Sequence, residues 1–345
     1  MQFMRWCSEK GSFKEKTMRL ITIDDFIDIY GKLKQRGLNF IVSKFSFNKV
    51  RRTKSAFNKV NIDASNWWEI PKINQRWNEL ITTDKNTEYE EFVVENFLNN
   101  KHSLKMLSIG SGICSHELKF ATYKNFDDIL CLDISDNLLN KAKKNAEKQN
   151  LNNITFKAQN IYDFEFPENY YDIVLFHASL HHFKNIDHLI GTLVNKTLKE
   201  NGKLIINEFV GANRLQFPKH QLKAINSALK IIPKKFRKRY KSSFYKKRVY
   251  GSGLLRMIIA DPSECVESEN IMPTIYKYYK TIYEAPYGGN ILMTLLKDLS
   301  HHFINMDSEK KVVLDKLFEF EDNYLKNHSS DFVFGIYETK KTPNN

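Results

Sequence analysis

The stretch Lys105-Met106-Leu107-Ser108-Ile109-Gly110-Ser111-Gly112-Ile113-Cys114-Ser115-His116-Glu117 decides how this chain is read. A short, mostly apolar run closes on Gly-Ser-Gly and gives way to a helical segment. Glycine suits such a turn because a side chain would hold a ligand away from the backbone. The next apolar run, Asp128-Ile129-Leu130-Cys131-Leu132-Asp133, ends on a carboxylate 21 residues after Gly112. An acid at the tip of a second strand can accept hydrogen bonds from both ribose hydroxyls. Strand, turn, helix, strand and acid together predict a nucleoside-cofactor site at the carboxyl edge of a parallel sheet. A dinucleotide fold would add a third glycine beside the pyrophosphate. Ile113, Cys114 and Ser115 follow here, so the pyrophosphate case is poor.

Outward from that turn, strands and helices alternate. The pattern predicts helices over 116–123, 136–149 and 186–198, and strands over 154–158, 171–176 and 203–208. Strands separated by helices and short loops mean a parallel sheet covered on both faces. The alternation stops over 211–275, which reads as mostly helical, broken by Pro218, Pro233, Pro262 and Pro273. Strands at 281–284 and 331–338 and helices at 290–303 and 309–324 complete the pattern. Before the sheet, helices are predicted over 22–45 and 88–99. Residues 61–87, with Trp67, Trp68, Pro71 and Trp77, read as an irregular aromatic stretch.

These motifs together resemble a class I S-adenosylmethionine-dependent methyltransferase of the small-molecule type. Gly110, Ser111 and Gly112 match the family's first motif. Asp133 and Ile134 match its ribose-binding acid and the residue after it. Asn160 and Ile161 match the adenine-contacting turn. Tyr171 to Phe183, with His177, His181 and His182, matches the fourth motif, and Leu198 to Glu208 the fifth. The resemblance implies an α/β, Rossmann-like sheet of seven strands, mostly parallel with the last antiparallel, and S-adenosylmethionine as cofactor. It is dense over 104–210, and the last strands extend it over 281–339. The expected organisation is a helical, aromatic-rich region over 1–100, a cofactor-binding core over 101–210 and 276–345, and a helical lid over 211–275 between strands five and six. The sequence departs from the family at Ser108, where an acid is usual, at Cys114 in place of a third glycine, and at Asn160 in place of Asp. Ser108 removes a carboxylate that helps hold the methionine amine, so that contact must come from elsewhere.

Methyl transfer is an in-line displacement; the cofactor carries the hard chemistry, while the protein aligns the nucleophile and removes a proton where needed. Bases belong at the carboxyl ends of strands four and five. His177, His181, His182 and Glu208 are the candidates, with His177 also expected beside the methionine end of the cofactor; of His181 and His182, one is expected to face the site and the other the core, since neighbours on a helical turn point about 100° apart. Imidazole titrates near neutrality and is the better base for a hydroxyl. In the insertion, Arg214, Gln216 and Glu264 are polar enough to recognise a hydroxylated substrate. Asp261 or Ser263 reads as the cap of a helix with Glu264 in its first turn. Trp67, Trp68 and Trp77 either close the pocket or pack the N-terminal helices on the core, the more frequent role.

The chain has 345 residues, about two domains at roughly 150 residues each. Its net charge of +13 is uneven. Residues 1–60 hold 14 Lys/Arg against five Asp/Glu, and residues 234–248 hold nine basic residues and no acid. Such runs suit phosphates, an anionic membrane surface or nucleic acid, the plainer alternative being a solvated basic helix. Four scattered cysteines (Cys7, Cys114, Cys131, Cys265) make no disulfide framework, and without a CxxC pair no metal is expected. With no apolar run of about 18 residues and no leader pattern, a cytoplasmic protein is expected; residues 1–17 read as a loosely attached extension. The expected partner is a small-molecule or sugar-containing substrate, methylated on oxygen or nitrogen. Alternatives are an anionic, membrane- or glycan-linked substrate guided by 234–248, or a binding protein of this fold without turnover. No Asp/Asn-Pro-Pro-Tyr/Phe motif follows strand four, which argues against adenine methylation in DNA; no aromatic-rich RNA-binding module is evident, though 234–248 interleaves Phe236, Tyr240, Phe244 and Tyr245, and a nucleic-acid partner is not expected. A homo-oligomer stays open.

Overall fold

The computed structural model describes residues 18–36 and 65–340. Seven strands form one sheet: β1 (Leu104–Ile109), β2 (Phe126–Asp133), β3 (Ile154–Ala158), β4 (Tyr171–His177), β5 (Leu198–Phe209), β6 (Tyr279–Gly288) and β7 (Phe332–Thr339). Their order is β3-β2-β1-β4-β5-β7-β6, and only β7 runs against its neighbours. This is the mostly parallel, Rossmann-like sheet that the sequence implies. The chain reverses direction across the sheet at β1, between β2 and β4. Open α/β sheets bind ligands outside the carboxyl ends of the strands at such a switch point. Ile109, Asp133 and His177 end the three strands there.

Alternating side chains build a core on each face, as the two-residue strand period requires. Met106, Ile129, Cys131, Ile173 and Leu175 bury one face against α3 (Tyr89–Phe97), α4 (Ser115–Ala121) and α5 (Asp136–Lys148). Leu107, Leu132, Val174, Phe176 and Ile206 bury the other against a helical stretch over 186–197 and against Ile271–Tyr278. The 186–197 stretch widens into a π-helix at Leu189–Val194.

The structure corrects several expectations outside the sheet. The stretch 61–87 contains a helix, α2 (Pro71–Thr82), with Pro71 at its first turn, where a missing N–H costs nothing. Trp67 and Trp77 meet edge to face at 4.7 Å and Trp67 also packs on Phe332, while Trp68 is exposed. None of the three closes over the cavity described below. The first helix, α1 (Ile23–Arg36), precedes α2. Its expected continuation to 45, the extension 1–17, Cys7 and many basic residues of 1–60 lie outside the described residues.

The insertion 211–275 is not one lid. Its first half, with helix Lys219–Ala228, joins a third core with Trp67, Ile73, Leu292–Leu296 and Ser308–Leu325. No helix starts at Asp261. Its Oδ1 instead accepts from the Ser263 amide (2.9 Å) and hydroxyl (2.6 Å), closing a turn. The basic run 234–248 is a 3-10 turn (Lys234–Arg237) followed by a Lys238–Tyr245 bridge, not a helix. Among the described residues, no helix is long and apolar enough to cross a membrane.

Candidate functional site

The glycine turn is built from backbone that other residues resist. Gly110 has φ +72°, and a Cβ there would lie 2.6 Å from Ser179 Cβ. Gly112 has φ +57°, yet a Cβ there would meet nothing within 4 Å, because the turn opens onto a cavity. Cys114 stands where the family has a third glycine and keeps the left-handed conformation, with φ +56°. The departure is therefore one of side chain, not of path; the buried thiol fits under the turn.

Asp133 ends β2 and ties the turn to it. Its Oδ2 accepts from the Gly112 amide (2.9 Å) and its Oδ1 from the Ser135 amide (2.7 Å). Burial lifts its carboxyl above the usual range, against those amides, which favour the charged form. Ile134 follows on the cavity wall. At the end of β3, the Asn160 side-chain oxygen accepts from the Tyr162 amide (3.3 Å), fixing a turn whose Ile161 is buried. The Tyr162 hydroxyl in turn accepts from the Lys184 amide (2.8 Å).

Ser108 is compensated. Glu117, on α4, turns back beneath the glycine turn and accepts from the Ser108 hydroxyl at 2.5 Å. Burial raises its carboxyl to about 7, and the hydrogen bond from Ser108 only partly opposes this. The helix after the turn thus places a carboxylate beside Ser108, and it lines the cavity.

His177 closes β4 on the same cavity. Its ring stacks on His116 with centroids 3.6 Å apart, and its Nδ1 lies 3.1 Å from the Tyr89 hydroxyl. Burial holds His177 well below its ordinary value and His116 down to about 4, so both rings are neutral near pH 7. Glu90 holds the outer ring at His116 Nδ1 (2.5 Å). Helix α3, outside the resembling segment, thus sets the orientation of a β4 residue.

Glu208, near the end of β5, is fully buried. Its Oε1 accepts from the amides of Ser179 and Leu180 (2.6 Å to the latter), and its Oε2 lies 2.7 Å from His181 Nδ1. Burial works against both charges, but each partner outweighs it. Glu208 stays below its usual range and His181 is raised. His182, not His181, lines the cavity. Glu264 sits over both rings, 3.9 Å from His181 Nε2 and 4.0 Å from His182 Nε2. Arg214 donates to the carbonyls of Pro262 (2.8 Å) and Glu264 (3.0 Å), holding the 261–265 loop from behind. Gln216 bonds the Arg19 amide and the Ser252 carbonyl, away from the cavity.

One cavity of about 560 Å³ joins these parts. That lies within the range of about 300–1,000 Å³ usual for small-molecule and cofactor sites. It runs from Gly110–Gly112, Asp133 and Asn160 to His177, His182, Pro262 and Ser263. The expected residues Gly110, Ser111, Gly112, Asp133, Ile134, Asn160, Ile161 and His177 all line it. His181, Glu208, Arg214, Gln216 and Glu264 do not. Sequence reasoning gave no role to Glu117 or His116, although both stand in the deciding stretch. A carboxylate one helical turn into the helix after the glycines was the available cue.

A methyltransferase-domain family model matches residues 100–283, more than half of the chain. Among curated proteins, the uncharacterized protein YafE of Escherichia coli is 29% identical over 96 residues, 28% of this chain and 46% of that protein. The uncharacterized methyltransferase YcgJ of Bacillus subtilis is 24% identical over 128 residues, 34% of this chain and 49% of that protein. The matched segments thus span about half the length of these relatives. Among solved structures, phosphoethanolamine N-methyltransferase 2 of Haemonchus contortus, in complex with S-adenosyl-L-methionine, aligns over 93% of this chain and 60% of that one, with 15% identity and a TM-score of 0.46. The domain match covers the glycine turn, the strand-tip acid and the β4 histidines, and by it this chain belongs to the class I S-adenosylmethionine-dependent methyltransferases.

Proposed function

We propose that the protein transfers a methyl group to an oxygen or nitrogen of a small molecule, with the cofactor in the glycine-turn half of the cavity and the acceptor in the histidine half. The continuity of the cavity from Asp133 to His182 and Ser263 carries this reading. The residues fit S-adenosylmethionine. Gly112 leaves open space where a side chain would stand, Asp133 would hold the ribose and Asn160 to Tyr162 the adenine. Glu117 would take the methionine ammonium in place of the acid lost at Ser108. Bound there, the cofactor supplies an electrophilic sulfonium methyl.

The chain's own residues then position the acceptor and handle its proton. Neutral His177 and His116 form an uncharged wall that does not repel a sulfonium. His182, on the cavity wall with His181 and Glu264 behind it and Glu208 bracing His181, receives the polar group of the acceptor. The loop at Pro262 and Ser263 covers that end and excludes water.

Two measurements test the reading. Calorimetry with S-adenosylmethionine and its demethylated product should show one site per chain; no binding of either sinks the proposal. Cell extract supplied with isotopically labelled methyl donor should yield a labelled small molecule only when the protein is present. Binding without any labelled product would identify a member of the fold without turnover.

A further inference from the structure

We propose that His181, His182 and Glu264 form a binding site for a divalent transition metal of the zinc type, beside the cofactor cavity and open to it. The ligand atoms of the three residues all lie within 4.8 Å of one another, the only such group of three or more among the described residues. His181 Nε2 lies 3.9 Å from Glu264 Oε1 and His182 Nε2 lies 4.0 Å from Glu264 Oε2, both too long for hydrogen bonds. A metal would draw one ligand atom of each residue closer. Bonds of about 2.0–2.1 Å in tetrahedral geometry set ligand atoms about 3.3 Å apart. Small side-chain rotations close the difference.

The outer contacts are those of a metal site. A ligating histidine usually has its other ring nitrogen held by a carboxylate or another polar group, which fixes the tautomer. His181 Nδ1 lies 2.7 Å from Glu208, so its Nε2 is the atom turned to the cluster. His182 Nδ1 lies 3.3 Å from the Ser263 hydroxyl, which itself bonds Asp261 (2.6 Å). Arg214 fixes the backbone on which Glu264 stands. Two histidines and one glutamate leave one position of a four-coordinate metal empty, as in catalytic rather than structural zinc sites. His182 and Ser263 line the cavity, so that position faces the acceptor half. It would take an oxygen, nitrogen or sulfur donor of a small molecule and favour its deprotonated form. Residue spacing gave no hint of this: Glu264 is brought to the His181–His182 pair by the turn at Asp261.

The metal site does not depend on methyl transfer, and metal binding is measured without cofactor. Chelator-treated full-length protein is titrated with Zn²⁺ and with Co²⁺. One equivalent is expected, with Co²⁺ giving the visible absorption of a four-coordinate site. Glu264→Gln and His182→Ala should each weaken binding at least tenfold. Glu208→Gln should weaken it about 10- to 100-fold by releasing His181. His220→Ala, beside the separate surface pair of His220 and His328, should change nothing. X-ray absorption at the zinc edge of the unaltered protein needs no variant: nitrogen and oxygen ligands, including two imidazoles, support the site. Absence of stoichiometric binding, survival of binding in Glu264→Gln, or a sulfur ligand from the neighbouring Cys265 overturns it. Retained binding of the demethylated cofactor in Glu264→Gln separates a failed metal site from a failed cofactor reading.

Discussion

Half-buried Asp133 and buried Glu117 are two carboxylates on one cavity with different tasks. Asp133 is held by two backbone amides that favour its charge, and in the proposed reading it would hold the ribose. Asp133→Ala should weaken cofactor binding by about 1–3 kcal/mol through lost hydrogen bonds; calorimetry showing unchanged affinity would displace the site. Burial pushes the Glu117 carboxyl up to about 7. Its folded value lies above the ordinary carboxyl value, so it is protonated below neutrality and charged above. A cation binds the charged form, so cofactor affinity should rise with pH, by up to about tenfold from pH 6 to pH 8. Glu117→Gln should flatten that profile. The two glycines also separate. A left-handed backbone costs an L-residue roughly 1–2 kcal/mol, which is all that Gly112→Ala incurs. Gly110→Ala adds the collision with Ser179 and should cost about 2–4 kcal/mol. Equal denaturation midpoints for the two variants would contradict this. Sequence showed the residues whose chemistry is local: Gly110, Gly112, Asp133 and the Asn160 turn. It did not show how His181, His182 and Glu264 meet, because their partners arrive from strands and loops 27 to 83 residues away.

At the scale of elements, every strand of the sheet was legible, because runs such as Met106–Ile109 and Ile173–Phe176 are buried on both faces and bounded by turns. Helix α2 was not. Ile73, Trp77 and Ile81 do recur at i, i+4 and i+8, but the tryptophans and Pro71 around them read as irregular structure. The turn at 261–265 was read as a helix start because Asp-Pro-Ser-Glu satisfies capping chemistry. In the fold, Arg214 takes the carbonyls of Pro262 and Glu264 instead, and its own amide donates to Cys265 O at 2.6 Å. Arg214 is therefore a clamp on the only stretch of the insertion that lines the cavity. Arg214→Ala should speed hydrogen exchange of amides 263–267 and raise KM for the acceptor while cofactor affinity holds. Unchanged exchange at those amides would show that the loop is held otherwise.

Over the whole molecule, the basic run 234–248 looks in sequence like one cationic surface, yet the fold divides it. Arg239 is buried, pairing with Asp298 at 2.8 Å and approaching Asp24 of α1 at 3.8 Å. Lys246 is also buried, with Nζ donating to the carbonyls of Thr294, Leu295 and Lys297. Lys235 reaches Glu309 on Ser308–Leu325. These residues strap the insertion to the carboxyl-terminal helices and to α1. Truncating Arg239 leaves Asp298, which is 31% exposed, partly solvated, so the cost falls below the roughly 3–5 kcal/mol of a fully buried pair, and stripping a buried donor from carbonyls costs about 1–3 kcal/mol. Arg239→Ala and Lys246→Ala should therefore each lower the denaturation midpoint clearly. Lys247→Ala, on an exposed residue of the same run, should leave it unchanged. A uniform surface patch predicts the reverse pattern: three equally harmless substitutions, each removing the same share of salt-sensitive binding to anionic vesicles. Measuring unfolding and vesicle co-sedimentation on the same three variants distinguishes a strap from a patch. A strap loses stability at positions 239 and 246 and keeps whatever weak vesicle binding the exposed lysines provide.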